Sequence, residues 1–416
     1  MTDNKIEQAV SAQHSQHDIA IIGGGPVGAS LALALRDSGL KICVLEARPA
    51  QAASNDARAL ALSYGSRLLL ERIGVWGALH DVSSIRTIHI SQKQSFGRAM
   101  LRAEELKVPE LGYVLPYPAL QDALQNALSP SPSPAGGRGG RDSAGEGRDE
   151  LQYLSGASVT NLQGADNGTS IEYQLDGAQH TLHAKLAVVA DGGKLLAQQY
   201  PPEIRDYGQS ALITHLTCSA PQAEMAYERF TSQGPVALLP FQDGYELVWT
   251  APHQLAQEML AWDDAKFLAE LQQHFGDRVG EFLTVGKRTC FPLGLKRAPN
   301  LFPMPHTVLL GNAAQTMHPV AGQGFNMGLR DAWELAQEIL RAAPETLGTT
   351  AMLSAYRSQR RTDREAGIRF TDGLVRLFSN DLPLLGAGRA ASLSVLDCLP
   401  FAKRFVAKRM MFGANG

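Results

Sequence analysis

Glycines at positions 23, 25 and 28 form the first segment of this sequence with a chemically suggestive spacing. They follow an apolar, strand-like run, and Glu46 ends the next such run. In a strand–turn–helix–strand unit, the first glycine permits a tight turn, the second admits a pyrophosphate and the third lets helix and strand pack closely. An acidic residue at the end of the second strand accepts hydrogen bonds from a ribose diol. The segment predicts a dinucleotide site, and the alternative is a structural turn beside an exposed glutamate.

A second glycine-rich segment lies late in the chain, GNAAQTMHPVAGQGFNMGLRDA at residues 311–332. Here Gly322 and Gly324 flank Gln323 and stand directly before a helix-like run. A turn alone needs only one glycine, so two of them at a helix start indicate that backbone amides approach a bound group closely.

Hydrophobic periodicity predicts the elements that position these glycines. The first motif is carried by a βαβ unit, with a strand at 18–23, a helix at 26–37 and a strand at 40–45. Such a unit requires a parallel sheet. Two further apolar runs, at 185–193 and 306–314, are predicted to be buried strands that end in small residues.

Alternating strands separated by turn residues, at 85–100 and 208–250, predict an antiparallel sheet in a second domain. The predicted fold class is therefore α/β, a Rossmann-like nucleotide-binding domain with an inserted antiparallel-sheet substrate domain and C-terminal helices. The predicted boundaries are 1–17 for a disordered tail, 18–84, 109–200 and 286–345 for the nucleotide-binding domain, 85–108 and 201–285 for the sheet domain, and 346–416 for a helical region.

Bulk composition excludes several functional classes. The 416 residues are 44% hydrophobic and 19% charged, as in ordinary globular proteins, and the length allows two domains. A net charge of −3 gives no basis for nucleic-acid binding. The four cysteines form no CxxC pair and no metal spacing, which predicts reduced core cysteines, no metal site and a cytoplasmic location. The polar N-terminus lacks the features of a signal peptide.

Two segments have compositions that predict their behaviour. Residues 129–149 contain Ser, Pro, Gly and Arg with no large apolar side chain, which predicts a disordered loop insertion after a helix at 120–128. The uncharged run at 19–35 is interrupted by Gly-Gly-Gly-Pro and falls short of the roughly 20 apolar residues that span a bilayer.

Taken together, the motifs resemble those of the FAD-dependent aromatic hydroxylases, the class A flavoprotein monooxygenases, and among them the ubiquinone-biosynthesis hydroxylases. That family has the N-terminal GxGxxG, a mid-chain Asp-Gly segment and a late Gly-Asp segment before a glycine-rich loop and helix. This chain has Gly23 to Gly28, VVADGG with Asp191, and the segment from Gly311 onward. DARALALS at 56–63 and YERFTSQGPVALLP at 227–240 follow the family order. Only the insertion at 129–149 lacks a counterpart.

The resemblance implies FAD as cofactor and assigns it a set of contacts. The implied cofactor-binding residues are Gly23, Gly25, Gly28, Glu46 and Arg48; Arg58 and Gln121 near phosphate and ribose; Asp191 beside the adenine half; Gly311 and Asn312 at the ribityl or ribose oxygens; and Pro319, Gly322, Gln323, Gly324, Phe325 and Asn326 along the isoalloxazine ring. Backbone amides at a helix start stabilise the negative charge of a reduced flavin, which accounts for the late glycines.

Two departures from the family pattern bear on the branch. The family usually has Asp after the late Gly, whereas this chain has Asn312, as in the branch that hydroxylates 2-polyprenyl-6-methoxyphenol. The mid-chain segment reads ADGGK where the family commonly has Ala-Asp-Gly-Ala followed by Asn or Ser, which leaves the role of Lys194 open.

The implied reaction uses NADPH, or NADH, as a transient reductant of FAD. Addition of O₂ gives a flavin hydroperoxide, whose distal oxygen attacks the ring of a polyprenyl phenol. The resemblance places His318, Pro319 and Gln323 at the catalytic centre. His318 either deprotonates the phenol or orients the loop, and a lone histidine is more often structural.

Alternative readings remain open from the sequence. They are a hydroxylase of another ring position or another phenol, a halogenase or prenyl reductase of the same fold, and a non-catalytic flavin-binding member of a complex of ubiquinone-biosynthesis proteins. The four isolated tryptophans do not form the WxWxIP-like motif expected of a halogenase, and the intact HPVAGQGFN disfavours the non-catalytic reading.

The C-terminal run LPFAKRFVAKRMM predicts an amphipathic helix at 399–411. Phe401, Phe405, Val406 and Met410 are predicted on one face and the cations mostly on the other, as in a peripheral membrane contact. The alternative, which we favour from sequence, is a helix packed on the domain with solvated lysines.

Overall fold

The computed structural model describes residues 15–49, 58–93, 95–129, 151–318, 322–378 and 383–413. The strands in chain order are β1 Ser15–Ile22, β2 Ile42–Glu46, β3 Ala59–Ser63, β4 Ser83–Ile85, β5 Thr87–Gln92, β6 Arg98–Arg102, β7 Gly112–Pro116, β8 Leu151–Ser155, β9 Ser158–Ala165, β10 Gly168–Leu175, β11 Ala178–Val189, β12 Glu203–Cys218, β13 Met225–Thr231, β14 Gly234–Phe241, β15 Gly244–Pro252, β16 Phe282–Val285, β17 Thr289–Arg297, β18 Thr307–Leu309 and β19 Gln315–Thr316. The α-helices are α1 Pro26–Leu35, α2 Tyr64–Arg72, α3 Ala103–Leu106, α4 Tyr117–Leu128, α5 His253–Ala261, α6 Asp264–Phe275, α7 Gln323–Arg341, α8 Thr350–Phe378, α9 Pro383–Cys398 and α10 Pro400–Phe412, and short 3₁₀ turns lie at Trp76–Ala78 and Gly311–Ala313.

The glycine motif follows the central strand of a mixed seven-stranded sheet. The strand order is β8-β2-β1-β11-β10-β9, and β18 pairs with the second half of β11. Strands β8, β2, β1, β11 and β18 are mutually parallel, whereas β9 and β10 are antiparallel additions. The main core lies between this sheet and helices α1, α4 and α7, and its fully buried members include Ile19, Leu31 and Val44.

Strand β1 begins earlier than predicted. Ser15 and His17 pair with Leu182 and Ala184 of β11, so the predicted tail at 1–17 is corrected at its end. Residues 15–17 are polar because this part of the strand lies outside the apolar core, and their polarity predicted a tail. Their backbone nevertheless continues the pairing with β11. Residues 1–14 lie outside the described residues, as does the predicted insertion at 129–149 apart from Ser129.

The second sheet has nine strands in the order β19-β17-β12-β15-β14-β13-β5-β6, with β16 pairing with β12. It is antiparallel except for the parallel pair β5 and β13. The sheet also extends beyond the predicted end at residue 285, because β17 pairs along β12 as far as Arg297 and then with β19. Strands β3, β7 and β4 form a separate three-stranded sheet.

The two faces of the nine-stranded sheet have different partners. Helices α5 and α6 cover one face, where Tyr245, Trp249 and Phe267 form a buried aromatic core. The opposite face carries Ala226, Phe230 and other small or apolar residues that line an internal cavity. Strand alternation therefore assigns one set of side chains to the core and the other to the cavity.

Helices α7 and α8 are joined by a buried ion network. Arg360 is 1% exposed and contacts the carboxylates of Asp331 at 2.6 Å and Asp363 at 2.8 Å. Arg330 of α7 also contacts Asp363, at 3.1 Å. Each buried charge thus has an opposite charge within hydrogen-bond distance, which offsets the cost of its burial. The network fixes α8 on the helix that follows the late glycine loop.

Cysteine placement corrects one prediction. Cys43 and Cys218 are buried and Cys290 is half-buried, but Cys398 at the end of α9 is exposed and is not a core residue. The prediction rested on the absence of CxxC pairs and metal spacing, which does not report exposure, and the α9–α10 junction faces solvent.

Candidate active site

Two of the three N-terminal glycines are required by backbone contacts. Gly23 has φ +105°, and a Cβ there would lie 2.6 Å from the carbonyl oxygen of Ala190. A Cβ at Gly28 would overlap the carbonyl oxygen of Gly23. At Gly25, by contrast, a Cβ would meet no protein atom within 4 Å. The loop is therefore closed on its sheet side and open in front of the N-terminus of α1.

Hydrogen bonds from predicted site residues hold this loop. One carboxylate oxygen of Glu46 accepts from the amide of Gly24 at 2.6 Å. The other accepts from the Arg48 amide at 3.0 Å and the Arg48 Nε at 2.9 Å. Gln121 donates from Nε2 to the carbonyl oxygen of Gly24 at 3.1 Å. Glu46, Arg48 and Gln121 therefore meet at the glycine loop although they come from separate elements, and the Arg48 guanidinium stays partly exposed beside it.

The mid-chain acidic residue shapes its own turn. The Asp191 carboxylate accepts from the amides of Gly193 at 2.8 Å, Lys194 at 3.0 Å and Leu195 at 2.6 Å. Lys194 thus contributes a backbone amide to this turn. A Cβ at Gly193 would lie 3.2 Å from the carbonyl oxygen of Asn312, so the Asp191 and Gly311 segments touch.

Helices α1 and α7 pack closely through small residues. A Cβ at Gly311, which has φ +59°, would lie 3.2 Å from Val27 Cγ1, and one at Gly328 would lie 2.9 Å from Val27 Cγ2. The Asn312 side chain is exposed at the same turn. The N-terminal and late glycine segments therefore lie at neighbouring helix starts.

The late loop is joined to the rest of the site by amide side chains. Asn326 accepts from the Ser63 amide at 2.8 Å and from Ser66 Oγ at 2.6 Å, and it donates to the carbonyl oxygens of Ala61 and Gly322. Because both ends of its amide are used by the protein, Asn326 positions β3 against the loop. The prediction gave it only a contact with the ring of a flavin.

Gly322, Gln323 and Gly324 form the tip of the loop. Gly322 is left-handed, with φ +60°, and a Cβ there would lie 3.1 Å from the Ala61 Cβ. Gln323 donates from Nε2 to the carbonyl oxygen of Met410 in α10 at 3.2 Å. At Gly324, as at Gly25, a Cβ would meet no protein atom within 4 Å. The open backbone at both helix starts fits a dinucleotide cofactor that spans the two segments.

The remaining predicted residues are less closely grouped. Phe325 is half-buried and packs against the main core. The Arg58 guanidinium lies 5.0 Å from the ring centre of Phe291. His318 is fully buried against Tyr207, its ring centre 5.5 Å away, and does not line the cavity described below. Pro319 lies outside the described residues.

Burial determines what His318 can do. Desolvation of the charged imidazolium lowers the pKa of His318 to about 4. At neutral pH the ring is uncharged and too weakly basic to hold a proton taken from a phenol. Its position favours the structural alternative, in which it packs beneath the loop.

An apolar cavity of about 250 Å³ adjoins the late loop. Its floor is the nine-stranded sheet, and helices α8, α9 and α10 close it from above. The lining residues are Ala61, Leu62, Ser63, Ile85, Ile88, Ile90, Leu101, Leu111, Gly112, Ala226, Tyr227, Glu228, Phe230, Pro235, Ala237, Leu239, Val248, Thr250, Gly322, Gln323, Asn326, Phe370, Leu374, Leu393, Leu396, Val406, Ala407, Met410 and Met411. The cavity therefore combines an apolar chamber with the tip of the glycine loop.

Sequence reasoning missed Glu228, the carboxyl group in this lining. Burial raises the pKa of Glu228 to about 7. The signal was present in YERF, because strand alternation puts Glu228 on the same face as Ala226 and Phe230. Periodicity alone did not show that this face was enclosed, since the covering helices come from the other end of the chain.

Helix α10 differs from its predicted orientation. Val406 and Met410 face the cavity, whereas Phe401 and Phe405 are 71% and 62% exposed. Lys403, predicted among the solvated cations, is buried and contacts Glu105 at 2.9 Å and Asp397 at 3.4 Å. These ion pairs rotate the helix so that its aromatics share the outer face with other cations. None of the described helices is long and apolar enough to cross a membrane.

Comparison with known proteins gives consistent matches over almost the whole chain. The family model described as "FAD binding domain" matches residues 16–371. Ubiquinone hydroxylase UbiL of Rhodospirillum rubrum is 31% identical over 407 residues, covering 95% of this chain and 89% of the relative. The 3-demethoxyubiquinol 3-hydroxylase of Escherichia coli K12 is 30% identical over 399 residues, covering 93% and 96%.

Among solved structures, p-nitrophenol 4-monooxygenase PnpA from Pseudomonas putida superposes with a TM-score of 0.71. It shares 15% sequence identity, and the match covers 96% of this chain and 99% of that one. At this identity the likeness concerns the fold, and it confirms the predicted α/β architecture with an inserted sheet.

Proposed function

Because the chain belongs to the FAD-binding domain family and is an FAD-dependent aromatic-ring monooxygenase, we propose that it hydroxylates a polyprenylated phenol of ubiquinone biosynthesis. The observation that carries this proposal is the apolar cavity beside the late glycine loop. A phenol with a hydrocarbon substituent suits such a lining, whereas a charged or strongly polar substrate would lose its hydration there without compensation.

The residues of both glycine segments would hold the cofactor. Gly25 and the N-terminus of α1 suit the pyrophosphate, Glu46 and Gln121 suit the neighbouring ribose region, and Gly322 to Gly324 suit the flavin ring. FAD bound there supplies electrons from NADPH or NADH and activates O₂ for insertion into the ring. The protein fixes the ring position and keeps water away from it.

Water exclusion follows from the way the cavity is closed. The walls contributed by β5, β13 and β14 are mostly apolar, and α8, α9 and α10 cover them. Pockets that bury a drug-sized ligand usually measure roughly 300–1,000 Å³. A cavity of about 250 Å³ would therefore take the ring and only part of a long polyprenyl tail, and the rest of the tail would extend outside it.

We assign 2-polyprenyl-6-methoxyphenol as the substrate, with oxygen added para to the hydroxyl. Support comes from the segment GNAAQTMHPVAGQGFN, which with Asn312 in place of the Asp usual in the family resembles the branch that hydroxylates this phenol. An amide at this exposed turn donates and accepts hydrogen bonds without adding negative charge beside the cofactor.

We also propose that the outer face of α10 rests on an anionic membrane surface, from which a polyprenyl substrate would enter. Phe401 and Phe405 are exposed beside Arg404 and Lys408, and residues 400–412 contain no acidic side chain. Aromatic side chains with interspersed cations are typical of helices that lie in a lipid interface. The inner face of the same helix lines the cavity, so the path of the substrate from the membrane to the cavity would be short.

The decisive experiment is aerobic turnover of the FAD-loaded protein with NADPH and short-chain prenylated methoxyphenols. Products are read by mass and by ring position. Addition of one oxygen para to the hydroxyl supports the full proposal, and another position supports a different hydroxylase of the same class. NADPH oxidation that gives only peroxide with every phenol would contradict the assigned substrate. Flavin retention without NADPH oxidation would support the non-catalytic alternative.

A further inference from the structure

We propose that Glu228 binds the ring hydroxyl of the phenolic substrate and accepts its proton during hydroxylation. The proposal rests on the proposed function, since it assigns the group that recognises the polar end of that substrate. The sequence offered His318 for the proton transfer, but His318 is fully buried and does not line the cavity.

Glu228 lies in the middle of the cavity floor. On neighbouring strands its Cα pairs with those of Ile90 and Ala237, and Ala237 pairs in turn with Val248. All of these residues line the cavity. Along β13, the residues two positions away on either side are Ala226 and Phe230, which also line it. The carboxyl group is therefore surrounded by apolar side chains across the strands and along its own strand.

Within the described residues, the Glu228 carboxyl group has no hydrogen-bond donor and no cation as a partner. The shift of its pKa reflects this, since burial is the cause and no neighbouring charge contributes. A carboxyl group among apolar side chains without a hydrogen bond destabilises the folded protein, because its hydration is lost without replacement, and the cost is larger when the group is ionised. A ligand that brings a hydroxyl donor to this point removes part of that cost.

Of the five other polar side chains in the lining, all except Thr250 have contacts with the protein that direct them elsewhere. Ser63 Oγ donates to the Met411 carbonyl, whereas Asn326 accepts from the Ser63 amide and donates to the Gly322 carbonyl. Gln323 donates to the Met410 carbonyl. Tyr227, the other titratable residue of the lining, packs its ring against Tyr245 and Phe275 on the opposite face of the sheet. The facing elements α8, α9 and α10 contribute Phe370, Leu374, Leu393, Leu396, Val406, Ala407, Met410 and Met411, none of which titrates.

The chemistry needs one proton to move from the phenol to Glu228 and later back again. As oxygen adds to the ring, the phenol O–H bond breaks, its electron pair stays on the ring system and the proton forms an O–H bond with the Glu228 carboxylate. The hydroxylated carbon then loses its hydrogen as a proton to water, the ring regains aromaticity, and the Glu228 carboxyl group returns the first proton to the same substrate oxygen. The oxidant is O₂ and the reductant is NADPH or NADH, as the monooxygenase activity already requires.

Equilibrium binding tests the recognition step without turnover. The FAD-loaded protein is titrated calorimetrically with a short-chain prenylated methoxyphenol and with its O-methyl ether, which lacks only the donor. Wild type should prefer the phenol by about tenfold, or about 1.4 kcal/mol. Glu228→Leu should bind both within about twofold of each other, and Glu228→Gln, which still offers an acceptor, should keep part of the preference. Flavin occupancy and thermal unfolding of each variant show that it is folded.

The pH dependence of kcat/KM tests the proton transfer. A base with a pKa of about 7 gives a rate that rises with pH and levels off above that value. In Glu228→Gln this rise should disappear, and kcat/KM should fall about 100-fold. It should regain part of the loss with a ring-fluorinated phenol, whose hydroxyl is more acidic. Glu246 is the alternative source of such a pH dependence. Burial also raises the pKa of Glu246 to about 7, although this residue does not line the cavity.

The outcomes separate the two proposals. If the rise of kcat/KM with pH disappears in Glu246→Gln and persists in Glu228→Gln, the assignment of Glu228 is overturned. The same holds if Glu228→Leu keeps the full preference for the phenol over the ether. A wild-type protein that neither binds nor hydroxylates any prenylated phenol overturns the proposed function itself, and with it the role of Glu228.

Discussion

The two halves of the site are built in opposite ways. At the N-terminal loop, polar groups find protein partners at short range, as Glu46 does with the amides of Gly24 and Arg48. In the cavity, Glu228 stands among apolar side chains and lacks a partner in the described residues. The N-terminal loop has its internal hydrogen bonds before a ligand binds, and it presents open backbone to that ligand. In the cavity, the Glu228 carboxyl group still needs a hydrogen-bond donor, which the ligand would supply.

This difference separates residues that hold the fold from residues that select a ligand. A side chain with all its hydrogen bonds inside the protein can be judged by its contribution to stability. A buried group without a partner is better judged by what it would bind, because without a hydrogen bond it makes the folded protein less stable. Variants in the two halves should therefore differ in whether they affect stability or ligand binding.

The largest effect is expected at Gly28. Gly28→Ala should lower the free energy of unfolding on the order of 4 kcal/mol and abolish FAD binding, since the added Cβ overlaps the Gly23 carbonyl. Gly25→Ala is the matched variant, because its Cβ meets only open space. It should cost about 1 kcal/mol or less in stability yet weaken FAD binding by about 100-fold. Urea unfolding and flavin fluorescence titration measure the two effects, and full FAD affinity in Gly25→Ala would refute the placement of the cofactor.

The ion network between α7 and α8 should give the next largest effect. Arg360→Met leaves Asp331 and Asp363 buried without their main partner, so the free energy of unfolding should fall by about 3–5 kcal/mol. Arg369→Met, on the same helix, breaks an exposed pair with Glu365 and should cost less than about 0.5 kcal/mol. Denaturant titration compares them, and equal losses would show that the network does not fix α7.

Stability should depend on pH through the partnerless carboxyl group. The pKa of Glu228 rises from an ordinary 4.5 to about 7 in the folded protein. Its stabilising contribution is therefore fully present below about pH 4.5 and is lost as pH rises through 7. Glu228→Gln cannot ionise, so relative to wild type it should gain on the order of 3 kcal/mol between pH 4 and pH 8, at about 1.4 kcal/mol per pKa unit. Thermal unfolding across this range measures the gain. A constant difference would mean that Glu228 has a partner after all.

The Asn326 amide should matter for the junction between the two halves. Asn326→Ala removes the partner of Ser63, Ser66 and Ala61, and should cost about 2 kcal/mol. Asn300→Ala is a suitable control, because among the described residues the Asn300 amide bonds to Phe302 alone, in an exposed loop. Hydrogen exchange of the Ser63 amide should accelerate in the first variant alone. Unchanged protection there would contradict the role of Asn326 as the junction.

The smallest effect on stability is expected on the outer face of α10. Replacing both Phe401 and Phe405 by Ser should change the free energy of unfolding by less than about 0.5 kcal/mol. It should nevertheless reduce binding to anionic vesicles severalfold, measured by sedimentation. Leu283→Ser, at an exposed apolar residue of β16, should leave vesicle binding unchanged. Binding that survives the double substitution would remove the proposed membrane contact, and binding that needs a protein partner would replace it.

Local sequence sufficed for the N-terminal half. The βαβ unit, its three glycines and Glu46 lie within about one supersecondary unit, and each has a recognisable type and spacing. The family and the FAD cofactor predicted from these motifs are confirmed by the family model. The individual cofactor contacts stay predictions.

Sequence was insufficient where distant segments meet. The role of Glu228 depends on helices that close the cavity from more than 140 residues away, and the orientation of α10 depends on ion pairs of Lys403 with Glu105 and Asp397. Helical periodicity placed Lys403 in solvent because it counts cations without their partners. The same limitation hid the burial of His318, whose surroundings come from Tyr207 in another domain segment.

The bond between Ser63 Oγ and the Met411 carbonyl joins residues 348 positions apart, whereas Gly24 and Glu46 are separated by 22. Closing so long a loop costs more chain entropy than closing the short one, and contacts between distant residues form slowly. We therefore expect a folding order in which the N-terminal loop is made early and the cavity is sealed late. Until α10 docks, the apolar floor of the sheet is open to solvent and to other chains. Aggregation during refolding should accordingly be governed by the arrival of this helix and suppressed by an apolar ligand that covers the floor in its place.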